Sequence, residues 1–291
     1  MVKKLSELYL EARRAFAVND DVQTASLYAR NLLCSITGKT QEALLAELDM
    51  YASDAVIRQM DAAVERVLGG EPLAYVLGQW DFHGMTLYVD NNVLIPRDDT
   101  CAVTDLAIKK ALFLDASPRV LDLCTGSGCI GLAIAHRVKD AKVTLADISR
   151  EALAVSKKNI GLQKLSGRVS CVQANALEAP SGFLGKFDLI VSNPPYITTQ
   201  EMEQLPDSVA KYEPNLALHG GADGLDFYRS IAKNYQAALK PGGFLCFEFG
   251  KGQGDSVCRI LKENGYTILE RSRDYNNIER AVLAQYSGKE D

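Results

Sequence analysis

The residues best suited to chemistry close an apolar run, Phe187-Asp188-Leu189-Ile190-Val191-Ser192, which delivers Asn193-Pro194-Pro195-Tyr196 to one point. Two adjacent prolines have φ fixed near −65° and no N–H, so the carbonyls around them point in set directions and stay free to accept hydrogen bonds. Asn193 adds a side-chain carbonyl. Two converging acceptors can bind both protons of a planar NH₂ group and aim its nitrogen at an electrophile. If that group is an amide, holding its protons out of plane restores the delocalised lone pair to nitrogen. Tyr196 supplies an aromatic face to cover the planar group. The scheme needs no metal and no histidine base, and His83, His136 and His219 suggest no ligand cluster. Taken alone, the segment also fits a proline-rich turn closing a strand.

Its companion is Val120-Leu121-Asp122-Leu123-Cys124-Thr125-Gly126-Ser127-Gly128, a buried strand ending in a glycine turn, followed by the helix-like Cys129-Ile130-Gly131-Leu132-Ala133-Ile134-Ala135. Glycine permits φ > 0 and close backbone approach, and a helix start offers free N–H groups. Asp147 ends the next expected strand, 19 residues past Gly128, and can accept from both hydroxyls of a ribose. An adenosine-bearing cofactor fits this spacing. Gly126-Ser127-Gly128-Cys129-Ile130-Gly131 also matches the dinucleotide pattern G-x-G-x-x-G, so the turn alone does not separate NAD from S-adenosylmethionine. The NPPY segment, in this order after the turn and Asp147, favours S-adenosylmethionine and methyl transfer to an amide or amine nitrogen. A nicotinamide dehydrogenase leaves NPPY unexplained. An amino-methyltransferase acting on adenine in DNA or RNA keeps the same chemistry with a different substrate, and a catalytically silent binding protein keeps the pocket without the transfer.

These residues need a scaffold. A chain of 291 residues accommodates one large α/β domain and a small module. With 47% hydrophobic and 24% charged residues, a packed core is expected rather than disorder. The formal charge of −5 argues against a dominant grip on phosphate backbones. Cys34, Cys101, Cys124, Cys129, Cys171, Cys246 and Cys258 form no CxxC pair, which suggests a reducing cytoplasm and no structural zinc. Neither a signal peptide nor a membrane span is expected.

From Leu5 to about Leu68 apolar residues recur at helical spacing, with Gly38 and Gly69-Gly70 as stops. This small helical module carries Glu7, Glu11, Asp20, Asp21, Glu42, Glu47, Asp49, Asp54, Asp61 and Glu65, a poor surface for phosphates. Residues 76–100 read as a connecting hairpin around Met85-Thr86-Leu87-Tyr88-Val89. From residue 101 to 291, helical patterns alternate with the β-rich runs Val120-Leu123, Val143-Ala146, Val169-Val172, Phe187-Val191, Phe244-Phe249, Thr267-Leu269 and Ala281-Ala284. Such alternation predicts an α/β fold with a mostly parallel sheet covered on both faces.

With these segments in view, the chain resembles the release factor glutamine methyltransferases of the PrmC/HemK family over nearly its whole length. The resemblance rests on Glu71-Pro72-Leu73-Ala74-Tyr75-Val76-Leu77-Gly78, Val93-Leu94-Ile95-Pro96-Arg97, the glycine turn, Asn193-Pro194-Pro195-Tyr196-Ile197, Glu213 to Leu218, Gly220 to Leu225, and Glu248-Phe249-Gly250. It implies a helical domain over 1–75 that docks the release factor. It also implies a seven-stranded Rossmann-like methyltransferase sheet with a reversed last strand over 101–291. The implied substrate is the glutamine of the Gly-Gly-Gln loop of peptide chain release factors, methylated at its side-chain nitrogen. Cys124, Thr125, Gly126, Ser127, Gly128 and Asp147 would then contact S-adenosylmethionine, with Asn175 and Ala176 beside its adenine. Asn193, Pro194, Pro195 and Tyr196 would hold the glutamine, with Asn193 also next to the cofactor; Asn193, Pro194 and Tyr196 are the implied catalytic residues. Three departures stand out: Cys124 where glycine is common, Asn175 where aspartate is usual, and Arg97-Asp98-Asp99-Thr100-Cys101 for Arg-Pro-Glu-Thr-Glu. Arg97 is open to a binding or a salt-bridge role, and Glu213 and Glu248 to holding loops.

Overall fold

The helical spacing between Leu5 and Leu68 becomes α1 (Leu5–Phe16), α2 (Val22–Thr37), α3 (Gln41–Ala46) and α4 (Asp54–Leu68), followed by the short α5 (Leu73–Leu77). The computed structural model describes residues 2–114 and 117–287. Asp21, Thr40 and Ser53 cap the starts of α2, α3 and α4 through their side-chain oxygens, and Gly38 closes α2 in the left-handed conformation. The apolar stripes of these helices meet in one core of Leu5, Leu8, Phe16, Leu32, Leu33 and Met60, among others. Residues 1–78 form this compact unit together with Asp207–Tyr212, which contains α10 (Asp207–Ala210). The Tyr212 hydroxyl donates to the Gly69 carbonyl at 3.0 Å.

The second unit comprises Gln79–Pro206 and Glu213–Asp291. It opens with the hairpin β1 (Gln79–Phe82) and β2 (Met85–Tyr88). The main sheet contains β3 (Arg119–Leu123), β4 (Lys142–Asp147), β5 (Val169–Gln173), β6 (Phe187–Ser192), β7 (Leu239–Glu248), β8 (Tyr266–Arg273) and β9 (Glu279–Tyr286). Their order is β5-β4-β3-β6-β7-β9-β8, with β9 antiparallel to both neighbours and the β5-to-β7 pairings all parallel. This is the expected seven-stranded sheet with its last strand reversed.

Successive strand residues enter opposite cores, as a pleated strand requires. On one face Val120, Leu189, Val191 and Cys246 pack with α6 (Cys101–Leu112) and α7 (Cys129–Arg137), and Ile160 joins them from α8 (Arg150–Leu162). On the other, Leu121, Ile190, Leu245 and Phe247 pack with α11 (Asp226–Asn234) and α12 (Gly254–Glu263). A short α9 (Thr199–Met202) follows β6. Among the described residues, no helix is long and apolar enough to cross a membrane.

One side chain ties three segments of this unit together. Asn159 of α8 is fully buried; its Oδ1 accepts from the Tyr88 N–H at 2.7 Å, and its Nδ2 donates to the carbonyls of Tyr88 and Ser127 at 2.9 Å each. It thereby fixes the hairpin and the glycine turn to α8. Asn159→Ala strands one buried donor and two acceptors, each worth about 1–3 kcal/mol. We expect a loss of roughly 2–4 kcal/mol in chemical denaturation; a loss below about 1 kcal/mol would deny the amide its structural role.

Candidate active site

The turn between β3 and α7 is shaped by backbone geometry. Gly126 and Gly128 have φ of +53° and +85°. A Cβ on Gly131 would sit 2.3 Å from a Leu145 methyl, so this glycine lets α7 close onto the sheet. A Cβ on Gly126 would meet nothing within 4 Å, so the space over the turn is open to a ligand. Thr125 N–H donates to the Ala146 carbonyl at 3.0 Å, which ties the turn to β4. The Asp147 carboxylate accepts from Gly126 N–H at 2.9 Å and from Ser149 N–H at 3.0 Å. Each of its oxygens retains a second lone pair for another donor.

Beside this turn lies a cavity whose wall brings together most of the residues that the motifs point to. It is lined by Cys124, Thr125, Gly126, Ser127, Asp147, Asn175, Ala176, Asn193 and Pro195. Gly128, Pro194 and Tyr196 are not part of this lining. Gly128 immediately precedes α7 as its N-cap, with a Cβ position pressed against Leu145 and Leu132. The Tyr196 carbonyl accepts from Gln253 Nε2 at 3.0 Å. The cavity wall also includes the segment Asn92 to Leu94, Pro96, Thr100, Ile148, Leu177, Leu216 and Phe227, none of which the sequence assigned to the site. Ile148 and Leu177 directly follow Asp147 and Ala176 in the chain, Leu216 lies within the Glu213 to Leu218 segment, and Phe227 carries no local signal.

Asn193 is held from behind. Its Nδ2 donates to Thr100 Oγ1 at 3.3 Å, which leaves Oδ1 as the end available to accept. Ser192 Oγ bonds the Leu123 carbonyl at 2.6 Å, so the ends of β6 and β3 are locked together. The loop after β5 is fixed by Tyr235 and Ser230, whose hydroxyls donate to the carbonyls of Asn175 and Ala176 at 3.0 and 2.8 Å. Arg97 pairs with the buried Glu213, whose other oxygen accepts from Ile95 N–H at 3.4 Å. Arg97 thus serves as a salt bridge between two segments of the wall.

Three carboxyl groups are crowded into this end of the sheet. Burial pushes Asp122 up to about 7 despite hydrogen bonds from Thr125 Oγ1 and Gly131 N–H. Burial likewise pushes Glu248 up to about 8, against the pull of Thr100, Arg280 and Asn193. Asp147 is also raised by burial, with the Gly126 and Ser149 N–H groups opposing. Burial raises the Cys124 and Cys129 thiols as well, so neither is a ready thiolate nucleophile.

Comparison with known proteins shows the family. Residues 104–210 match the methyltransferase small domain, and residues 7–78 match the PrmC N-terminal domain. A release factor glutamine methyltransferase of Clostridium acetobutylicum is 42% identical over 217 residues, covering 75% of this chain and 76% of that protein. One from Geobacter sulfurreducens is 36% identical over 273 residues, 94% of each chain. The chain belongs to the release factor glutamine methyltransferase family. A methyltransferase structure from Pyrococcus furiosus, with a TM-score of 0.50, 17% identity and coverage of 77% of this chain and 98% of that one, bears on the fold alone.

Membership brings S-adenosylmethionine as the cofactor of a methyltransferase, and the cavity fits such a group. Ser127 Oγ is buried in the wall without a hydrogen-bond partner, and Asp147 borders the same space. Ile148, Leu177 and Phe227 add apolar surface for a planar base. The family departures also find physical causes. Cys124 has φ of +61°, a conformation glycine adopts without strain. Asn175 Nδ2 donates to Glu178 Oε1 at 2.9 Å, where an aspartate would set two carboxylates against each other.

The raised carboxyls carry a stability signature. Their folded-state values lie above the unfolded ones, so the folded protein holds more protons across the interval. Their contribution is complete below about pH 4 and is lost as pH rises through about 7 and 8. Thermal unfolding followed from about pH 5 to pH 9 should show stability falling, and Glu248→Gln should remove roughly 1–3 kcal/mol of that fall. An identical pH dependence in both proteins would show that Glu248 ionises normally.

Proposed function

We propose that this protein transfers the methyl group of S-adenosylmethionine to the side-chain amide nitrogen, N5, of the glutamine in the Gly-Gly-Gln motif of peptide chain release factors. The observation that carries this reading is Asn193: it stands in the cavity wall with Nδ2 bound to Thr100, so its carbonyl is the group presented to an incoming NH₂. A relative aligned over 94% of the chain bears the name release factor glutamine methyltransferase, which supports the reading.

S-adenosylmethionine supplies an electrophilic methyl carbon and leaves as S-adenosylhomocysteine. Asp147 would accept from the ribose hydroxyls, and the turn from Cys124 to Gly128 would allow the close backbone approach. Asn175 and Ala176, held by Tyr235 and Ser230, would border the adenine. Asn193 Oδ1 and the carbonyl of Pro194 would accept hydrogen bonds from the two N–H groups of the substrate amide and so orient its nitrogen lone pair toward the donor's methyl carbon. Pro195 and Tyr196 complete the rim that holds the glutamine. In the transfer an N–CH₃ bond would form as the S–CH₃ bond breaks, and the proton lost from nitrogen would pass to solvent water. No metal enters the scheme. The helical unit over 1–75 docks the release factor, residues 76–100 link it to the catalytic domain over 101–291, and the reaction takes place in the cytoplasm.

The decisive experiment is mass spectrometry of a purified release factor incubated with the protein and S-adenosylmethionine. A gain of about 14 Da on the Gly-Gly-Gln peptide is expected; an unmodified peptide would refute the substrate. Asn193→Ala should abolish transfer and leave cofactor affinity nearly intact, and activity within about tenfold of wild type would remove Asn193 as the acceptor. Asp147→Ala should weaken cofactor binding by about 1–3 kcal/mol, the loss of a charged acceptor. Unchanged affinity in calorimetry would contradict the ribose assignment.

A further inference from the structure

Behind Asn193 sits a carboxyl group, Glu248, that is not part of the cavity lining. The parallel register pairs Ser192 with Phe247, so the next residues on the two strands, Asn193 and Glu248, come side by side at the rim. Glu248 is 1% exposed, and its Oε2 has no hydrogen-bond partner. Thr100, 2% exposed, and Asn193 both stand within hydrogen-bonding reach of the carboxyl. The other groups facing it are Arg280 from β9, Asp99 and Cys101 next to Thr100, Cys129 at the start of α7, Tyr196, and Tyr228 from α11. Arg280 is the cation among them, and it is shared with Asp99 at 2.6 Å and Asp274 at 3.0 Å.

A buried carboxyl with so little compensation costs stability, and an apolar side chain of similar volume would fill the space more cheaply. Its position suggests what offsets that cost. We propose that Glu248, together with Thr100, is a positioning residue that holds the Asn193 amide with Nδ2 turned inward and Oδ1 presented to the cavity. An amide freed from these acceptors can rotate by half a turn and present its own NH₂. Two donors would then face each other, and a substrate NH₂ would find nothing to accept its protons. The inference rests on the reading of Asn193 as the acceptor and extends it to the groups that fix its orientation.

The test compares wild type, Glu248→Leu, Glu248→Gln and Thr100→Val in methyl transfer to a purified release factor. It adds S-adenosylhomocysteine affinity and the side-chain NH₂ resonances of Asn193, assigned by their loss in Asn193→Asp. Glu248→Leu should lower kcat about a hundredfold while S-adenosylhomocysteine affinity stays within about threefold. The Asn193 resonances should move with it. Glu248→Gln, which keeps an acceptor oxygen, should restore the resonances and bring kcat to within about fivefold of wild type. Thr100→Val should repeat the loss in a milder form, and it carries the test should Glu248→Leu fail to fold. Wild-type kcat and unshifted Asn193 resonances in the apolar variant would overturn the proposal, as would Glu248→Gln failing as badly as Glu248→Leu. If wild type transfers nothing to a release factor, the substrate reading falls, while unmoved resonances in Glu248→Leu would still overturn the positioning role and moved ones support it.

Discussion

The site depends on the parallel register that brings the carboxyl ends of β4, β3, β6 and β7 to one level. Leu123 pairs with both Ala146 and Ser192, and Ser192 with Phe247, so the residues that follow on four strands emerge as one rim. Parallel strands cannot be joined by tight turns, and each crossover therefore leaves a loop at that rim. The glycine turn, Asp147 and Asn193 are three such loop starts. A slip of one residue in any pairing would turn the corresponding side chain to the other face of the sheet. The Ser192 hydroxyl bond to the Leu123 carbonyl pins that register where β3 and β6 end.

The rim is stabilised less by hydrophobic contact than by polar groups that the interior must satisfy. Asn159 spends its whole side-chain amide on three backbone groups, and Asp122 uses one oxygen to hold both Thr125 and Gly131. These bonds brace the turn from beneath while its upper side stays open. The opposite oxygen of Asp122, Ser127 Oγ and Glu248 Oε2 lack partners. Buried polar atoms of this kind cost about 1–3 kcal/mol each, and they gather at the cavity end of the sheet. Proteins tolerate such costs where surrounding contacts fix the geometry and function needs the groups.

What the sequence disclosed follows from how local each signal is. The strand runs, the glycine turn and the NPPY segment are contiguous, so their chemistry and order can be read directly; the reversed strand β9 entered through the family resemblance and is found in the sheet. Asn159 could not be read this way, because it sits in an amphipathic helix and its partners Tyr88 and Ser127 lie 71 and 32 residues away. Thr100 is 93 residues from Asn193, and Tyr235 is 60 from Asn175. Each is an ordinary residue given meaning by a distant one. Glu213 and Glu248 were visible as motif members, but only burial shows that one is paired with Arg97 and the other nearly uncompensated.

The departures from the family pattern show how a local change is absorbed. A non-glycine residue at φ +61° costs on the order of 1–3 kcal/mol and persists only if its neighbours dictate the backbone. At Cys124 they do: the Leu123 carbonyl is held by Ser192, and the Thr125 N–H by Ala146. The thiol packs at the edge of the apolar core, and burying such a small group returns part of the strain energy. At position 175, the Asn175 carbonyl oxygen accepts from Leu177 N–H at 3.0 Å as an aspartate oxygen would, so the turn survives the exchange. The amide nitrogen converts Glu178 from a like charge into a hydrogen-bond partner. Both residues thus keep the backbone path along the cavity fixed.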